Sequence, residues 1–572
     1  MRANIRPRGW LGPLLLIVAA CGGPVAPPKA DLVLRGGTVR TMNPEQPLAE
    51  AVAVRGNRIA FVGSDEEAEA WIGETTEVID IADGMVLPGF QDAHVHVLEG
   101  GMALADCDLS AAADAGAVLA AVAACAAADG STGWLRGGGF QLPIFSGGNP
   151  QAAALDAIVS DRPVFLTSSD GHSAWVNSRA LELAGITGAT PDPPAGRIER
   201  DPTSGKPSGT LRETAIGLVA ALLPPRTHAE RSDGLRRGLA VARQFGITAF
   251  QDANVDAENL AAYAELATAG ELTARVSVSL EVDPERGAEQ VADLEALRDR
   301  YWTEGLRVNT AKLFIDGVLE ARTAALLEPY VGMGDFTGYA ELEGEPLRQL
   351  VQALDAAGFQ IHAHAIGDRA IREILDAIES AEVRNGRRDA RHHLAHIQLW
   401  EPEDIPRMHE LGVAANFQPL WAYADPFITD LTEPFLGPER SRWLYPIRSL
   451  VESGAVVVFG SDWDVTTMNP LPAIEVGITR QDPDDPTSTV WLPQERVDLE
   501  TMLAGYTRNA AWANFLEHQT GTVEEGKLAD LVLLNRNLAT IPAPEISEVR
   551  VLMTVFGGQV VYRARAGSTD GG

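Results

Sequence analysis

An α/β fold, a (β/α)8 TIM-like barrel carrying a small β-sandwich domain built from both termini, is predicted by three features of the 572-residue chain. Eight apolar runs of strand length alternate with segments of helix length, the pattern of parallel βα units. Both ends of the chain instead carry short β-rich runs, joined at the N-terminal end by Gly-Gly, Gly-Asn and Asp-Gly turns. Metal-binding residue types close several of the eight runs, and a parallel barrel presents such residues together at one rim. Hydrophobic residues at 45% and charged residues at 22% fit a large globular core.

The first twenty residues read as an export signal: "MRANIRPRG" carries three arginines and "WLGPLLLIVAA" is a short apolar run. The boundary "VAAC" resembles the lipobox of bacterial lipoproteins, which implies cleavage after residue 20 and acylation of Cys21. Ordinary secretion with cleavage nearby is the alternative. A spanning helix is excluded here because a span needs about 20 apolar residues. Residues 21–30 form a tether, and the membrane is reached through lipid chains. Gly22 and Gly23 follow the cysteine, without the aspartate that in many bacteria retains lipoproteins at the inner membrane. A periplasm-facing or outer-membrane location is expected.

Residues 31–85 supply the N-terminal part of the β-sandwich through "DLVLRGGTVRTM", "AVAVRGNRIAFVG" and "TEVIDIADGMVLPGF". Residues 86–517 form the barrel, its strands being "VLPGFQDAHVH", "GITAFQDA", "ARVSVSL", "NTAKLFIDG", "FQIHAHAIGD", "RHHLAHI", "GVAANFQP" and "AVVVFGSDW". Between the first two lies an insertion, about residues 109–239, whose own strand "RPVFLTSSDGH" makes it a cap. Residues 518–572 return to the sandwich and end in a tail. Cys107 and Cys125 admit two readings, a disulfide in an oxidising compartment or two small buried side chains in an alanine-rich helix. A formal charge of -33 repels phosphate backbones, so nucleic acid is excluded as a partner. A homo-oligomer is compatible with the sequence, which does not fix the number of subunits.

His94 and His96 alternate by two, so both leave the first strand on its inward face. Lys312, His364, His396 and Asp462 each close another strand-like run. Singly, each could be a hydrogen-bonded core residue. Together, imidazoles and a carboxylate are the ligands suited to a divalent ion, zinc first, with a position left for water.

These segments resemble the amidohydrolase superfamily, and more closely its family 3 branch, which includes N-substituted formamide deformylases. The resemblance covers nearly the whole mature chain and rests on "LPGFQDAHVH", "DGHSAWVNSRAL", "GITAFQDA", "KLFIDG", "RTAALLEPY", "IHAHAIGDRAI", "HHLAHIQ", "GSDW", "YTRNAA" and "GTVEEGKLADLVLL". It implies metal ligands at His94, His96, His364 and His396, with Asp462 at the end of strand eight. The family's ligand directly precedes "AIGD", which selects His364 over His362 and leaves His362 behind the site or in the core. His392 and His393 are expected to be structural. Lys312 matches the position where many relatives carry a carbamylated lysine bridging two metals; unmodified, it would orient substrate beside one ion.

The implied reaction is hydrolysis of a C–N bond in an amide, formamide or related small molecule. Asp462 would take a proton from water and return it to the leaving nitrogen, with His172 of "DGHSAW" assisting at the carbonyl. Trp175, Trp421 and Trp463 are candidate walls for an apolar portion of substrate. An N-acyl amino acid substrate would need a cation for its carboxylate, from Arg322 or Arg212. A cyclic amidase, a deaminase and a non-catalytic ligand-binding lipoprotein are the other readings. Two departures from the family pattern, Glu320 and Asp464, add negative charge near the rim; they either turn substrate preference toward neutral or cationic molecules or face solvent, and solvent is the expectation.

Overall fold

The computed structural model describes residues 28–129 and 132–565. At its centre eight parallel strands run in chain order: β1 (Phe90–Val95), β2 (Ile247–Val255), β3 (Arg275–Glu281), β4 (Leu306–Phe314), β5 (Gln360–Ala365), β6 (His393–His396), β7 (Ala414–Phe417) and β8 (Val457–Phe459). Just beyond β8 the ring is drawn together by backbone hydrogen bonds, from Asp462 N to His94 O at 2.8 Å and from His96 N to Trp463 O at 2.8 Å. Gly460 is needed for that approach, because a Cβ there would lie 2.6 Å from His94 N. The α/β barrel expected from the alternating runs is therefore present.

The outer helices follow their sequence signals. Asp368–Asn385 buries Ile371, Ile374, Leu375, Ile378 and Ala381 on one stripe, the spacing of an amphipathic helix facing a core. Ala257–Ala269 is capped by Asp256, which accepts from Asn259 N at 2.6 Å, and stops at Gly270 with φ 70°. Among the described residues no helix is long and apolar enough to cross a membrane.

Between β1 and β2 the chain builds a six-stranded sheet from Cys107–Asp108 through Pro207–Glu213. Cys107 and Cys125 are joined in a disulfide, so the first of the two cysteine readings is the one found. The helix His228–Gln244 packs on Val97–Ala103 and so belongs to the barrel's outer layer, although its first two-thirds fall inside the insertion drawn from sequence.

The termini meet. Met85–Pro88 pairs antiparallel with Leu531–Leu534, Leu87 opposite Val532, within a six-stranded sheet that also holds Val551–Phe556 and Gln559–Arg563. A four-stranded sheet holds Leu32–Arg35, Ala51–Arg55, Arg58–Gly63 and Glu77–Asp80, and one apolar cluster including Leu34, Val52, Val86, Leu531 and Met553 spans both sheets. "VLPGFQDAHVH", expected as one barrel strand, is thus two strands of different sheets. The break is at Gly89, where a Cβ would stand 2.2 Å from Thr248 Oγ1, so only glycine lets the chain turn against β2.

Candidate active site

Alternation along β1 aims His94 inward, and His96 follows it at the rim. Three imidazoles converge on one carboxylate. His94 Nε2 lies 3.3 Å from Asp462 Oδ1, His96 Nε2 lies 3.1 Å from the same oxygen, and His396 Nδ1 is 3.8 Å from Asp462 Oδ2. His396 and Asp462 hold their places with φ of 72° and 53°, left-handed values that are costly for non-glycine residues and cluster at functional sites.

Burial works against ionisation of Asp462, yet its histidine neighbours, His94 first, hold its pKa well below the carboxylate range. Burial and then Lys312 keep His94 far below the usual imidazole value. His364 and His396 are depressed in the same way, burial first. These are neutral imidazoles, the form that binds metal. Their second nitrogens are committed: His396 Nδ1–H donates to Gln418 Oε1 at 2.9 Å and His364 Nε2–H to Gly317 O at 3.1 Å.

The donor set fits a cation. His94 Nε2 and Asp462 Oδ1 are buried and have no hydrogen-bond partner, and one donor atom each from His94, His396 and Asp462 lies within 4.8 Å of the others. A buried, incompletely paired carboxylate costs several kcal/mol, whereas a hydrogen bond to a charged group returns about 1.5–3 kcal/mol. A cation offsets that difference.

Lys312 on β4 is fully buried, with Nζ 4.8 Å from the centre of the Phe314 ring, and burial lowers its pKa to about 7 against the pull of Asp462 and Asp252. His364 stands one row from the cluster, its ring 4.5 Å from that of His396. His172 reaches over from the cap, 5.2 Å from the His364 ring, and its Nδ1–H donates to Glu213 Oε2 at 2.7 Å. Burial disfavours charge on His172, but Glu213 overrides it and raises the pKa to about 10. Thr323 from the barrel donates to the other Glu213 oxygen, and Glu213 itself has φ 49°.

Several expected substrate contacts lie elsewhere. Trp175 is fully buried in the cap between Phe140 and Phe145, with ring centres 5.9 and 5.2 Å away, because its strand faces the cap's own core. Trp463 is buried against Gly100, where a Cβ would meet its ring at 2.6 Å. Arg322 stacks on Phe435 at 4.8 Å. Arg212 is spent on Ser173, Gly148 O at 2.6 Å and Asn149 Oδ1 at 2.7 Å. Trp421 does line the cavity, parallel to the His396 ring at 5.7 Å. Glu320, expected in solvent, also lines it; burial and then Asp170 raise its pKa to about 8. Asp464 is exposed.

Asp252 escaped the sequence reading, although it is another polar residue near the end of a barrel strand. It is buried on β2, accepts from Tyr263 Oη and from Leu98 N at 3.3 Å, and burial raises its pKa. Glu213 had no signal, since its place depends on how the cap folds.

A parallel eight-stranded barrel with three histidines and an aspartate gathered at its C-terminal rim is a barrel of the enzyme class that carries a candidate metal site there. The chain belongs to the amidohydrolase family, whose family 3 model matches residues 77–562, and is a hydrolase of carbon–nitrogen bonds other than peptide bonds. It is 32% identical over 548 residues to Protein LONG AFTER FAR-RED 3 of Arabidopsis thaliana, covering 93% of this chain and 92% of that protein. N-substituted formamide deformylase of Arthrobacter pascens is 28% identical over 552 residues, covering 94% of this chain and 99% of its own. A solved metal-dependent hydrolase from Pyrococcus furiosus superposes with a TM-score of 0.67 at 25% identity, over 88% of this chain and 99% of that one.

Proposed function

We propose that the protein is a metal-dependent hydrolase of small amides, with formamides the first class to try, and that Asp462 moves the proton. The observation that carries this reading is the convergence of His94, His96 and His396 on the Asp462 carboxylate. These four would hold a divalent ion, zinc by the chemistry of the donors, with His364 and Lys312 beside them for a second ion if Lys312 is carbamylated. When bound, the ion supplies Lewis acidity and brings the ionisation of water near neutral pH.

Asp462 accepts the proton of the attacking water and returns it to the departing nitrogen. His172, held protonated by Glu213, offers Nε2–H to the carbonyl oxygen as negative charge grows there. Trp421 walls the cavity for an apolar part of the substrate. The likeness to a formamide deformylase favours formamides. An N-acyl amino acid loses support, because Arg212 and Arg322 are committed to other partners. The two terminal sheets, sharing one apolar cluster, are read as the small β-sandwich.

A screen of formamides, simple amides, N-acyl amino acids and cyclic ureides tests the reading, and failure to cleave any of them with zinc present would overturn it. Removing one donor to a developing oxyanion typically costs 10²–10³ in kcat. His172→Phe is therefore expected to lose about 10² in kcat with KM little changed. Glu213→Gln should fall in the same direction by less, and equal kcat in all three proteins would remove His172 from the chemistry.

We also propose export and acylation at Cys21, which lies outside the described residues. Cys21→Ser is expected to move the protein from membrane to soluble fractions and to abolish the lipid mass on its N-terminal peptide. Unchanged partition and peptide mass would rule the anchor out.

A further inference from the structure

We infer that His362 is a positioning residue for metal binding, the middle of a buried relay that fixes which nitrogen of His94 is left bare. This rests on the metal-site reading of His94. The relay crosses the barrel interior through four strands. Gln251 Nε2 on β2 donates to Ser279 Oγ on β3 at 3.1 Å, Ser279 Oγ is 2.8 Å from His362 Nδ1 on β5, and His362 Nε2 is 2.8 Å from His94 Nδ1 on β1. All four residues are buried.

A neutral imidazole carries one proton, so the direction of the relay decides what His94 offers. If His94 is to present the Nε2 lone pair, its proton sits on Nδ1 and is donated to His362 Nε2. His362 then carries its own proton on Nδ1 and donates it to Ser279 Oγ, which also accepts from Gln251. In the opposite direction Ser279 would donate to His362 and His362 to His94. That would put a proton on His94 Nε2 and close it to a metal. The nitrogen at the end of this relay, His94 Nε2, is buried without a hydrogen-bond partner.

His362 is also clamped from its other side. The His393 ring packs on it with centres 3.9 Å apart, and His393 Nδ1 is 3.3 Å from Asn416 Nδ2, which in turn donates to Ala93 O at 2.9 Å. Both nitrogens of His362 are therefore committed and its plane is set, which suits orientation of a neighbour and leaves no lone pair for an ion. Partners behind a metal-binding histidine are generally worth 10- to 100-fold in metal affinity.

The test is zinc affinity by competition with a chromophoric chelator, on the full-length folded protein. His362→Leu removes the acceptor and is expected to weaken zinc by about 10- to 100-fold. His362→Gln places a carbonyl oxygen near the lost Nε2 and should recover most of that affinity, a rescue that simple core packing would not give. Ser279→Ala keeps the ring but removes its Nδ1 acceptor, and a smaller loss is expected. Zinc binding by His362→Leu equal to the parent overturns the relay, as does a glutamine variant as weak as the leucine one. Should His362→Leu fail to fold, unchanged affinity in Ser279→Ala overturns it instead. A parent protein that binds no zinc overturns the function proposed above together with the relay, whereas a zinc-binding parent with an indifferent His362→Leu sinks the relay alone.

Discussion

Asp462→Asn is expected to lower kcat/KM by about 10³, within the 10²–10⁴ that a positioned proton-transfer group contributes, while the protein folds as before. Asparagine has the same shape and can still accept a hydrogen bond, but it has no basic oxygen to take a proton from water. The backbone bond from residue 462 N to His94 O, which helps close the barrel, does not involve the side chain. Zinc content should fall as well, because Asp462 supplies one of the unpartnered buried oxygens of the cluster. Initial rates on the best substrate of the screen, with circular dichroism as the control for folding, measure this. Undiminished turnover in a properly folded variant would exclude the proton-transfer role.

Removal of metal is expected to take activity to background, and added zinc or another divalent ion to restore it. Lys312, buried behind the cluster with its pKa drawn down to about 7, is a poor substitute for a metal ion as a Lewis acid. His94→Ala and His96→Ala should each lower the metal found per chain. Stoichiometry also separates the two chemistries of Lys312. Two ions per chain, reassembly promoted by bicarbonate, and rescue of Lys312→Ala by a short carboxylic acid would assign a carbamate. One ion and no bicarbonate effect would leave Lys312 as an amine. Full turnover by protein shown to be metal-free would rule out the mechanism. Metal analysis paired with the same rate assay gives the answer.

The barrel was legible because its signal is local and repeated: each βα unit writes its own apolar run, and His94, His96, His396 and Asp462 sit at the ends of such runs. Strand order brings the end of β8 beside β1, and the left-handed backbone at His396 and Asp462 accompanies their convergence on one carboxylate. Trp175 and Trp463 were misplaced for a different reason. A tryptophan beside a motif carries no local mark of the side it faces, and the cap's sheet turned Trp175 into its own core. Glu213 was invisible because its bond to His172 needs Pro207–Glu213 to lie against Ser173–Val176, a pairing set by the folded cap. The division of "VLPGFQDAHVH" at Gly89 was hidden likewise, since the crowding comes from Thr248 on a strand far along the chain.

The pairing of Leu87 with Val532 has a consequence for biosynthesis. The segment that leads into the two rim histidines emerges early from the ribosome, but its neighbour in the terminal sheet is among the last stretches made. The closing bonds to His94 and His96 likewise come from residues 462 and 463. Contacts between such distant positions are slow to form, so the histidine pair stays unassembled through most of translation. A nascent chain ending before residue 457 would present His94 and His96 without the last barrel strand and its closing bonds, and one ending before residue 531 would still leave Met85–Pro88, which leads into them, without its partner Leu531–Leu534.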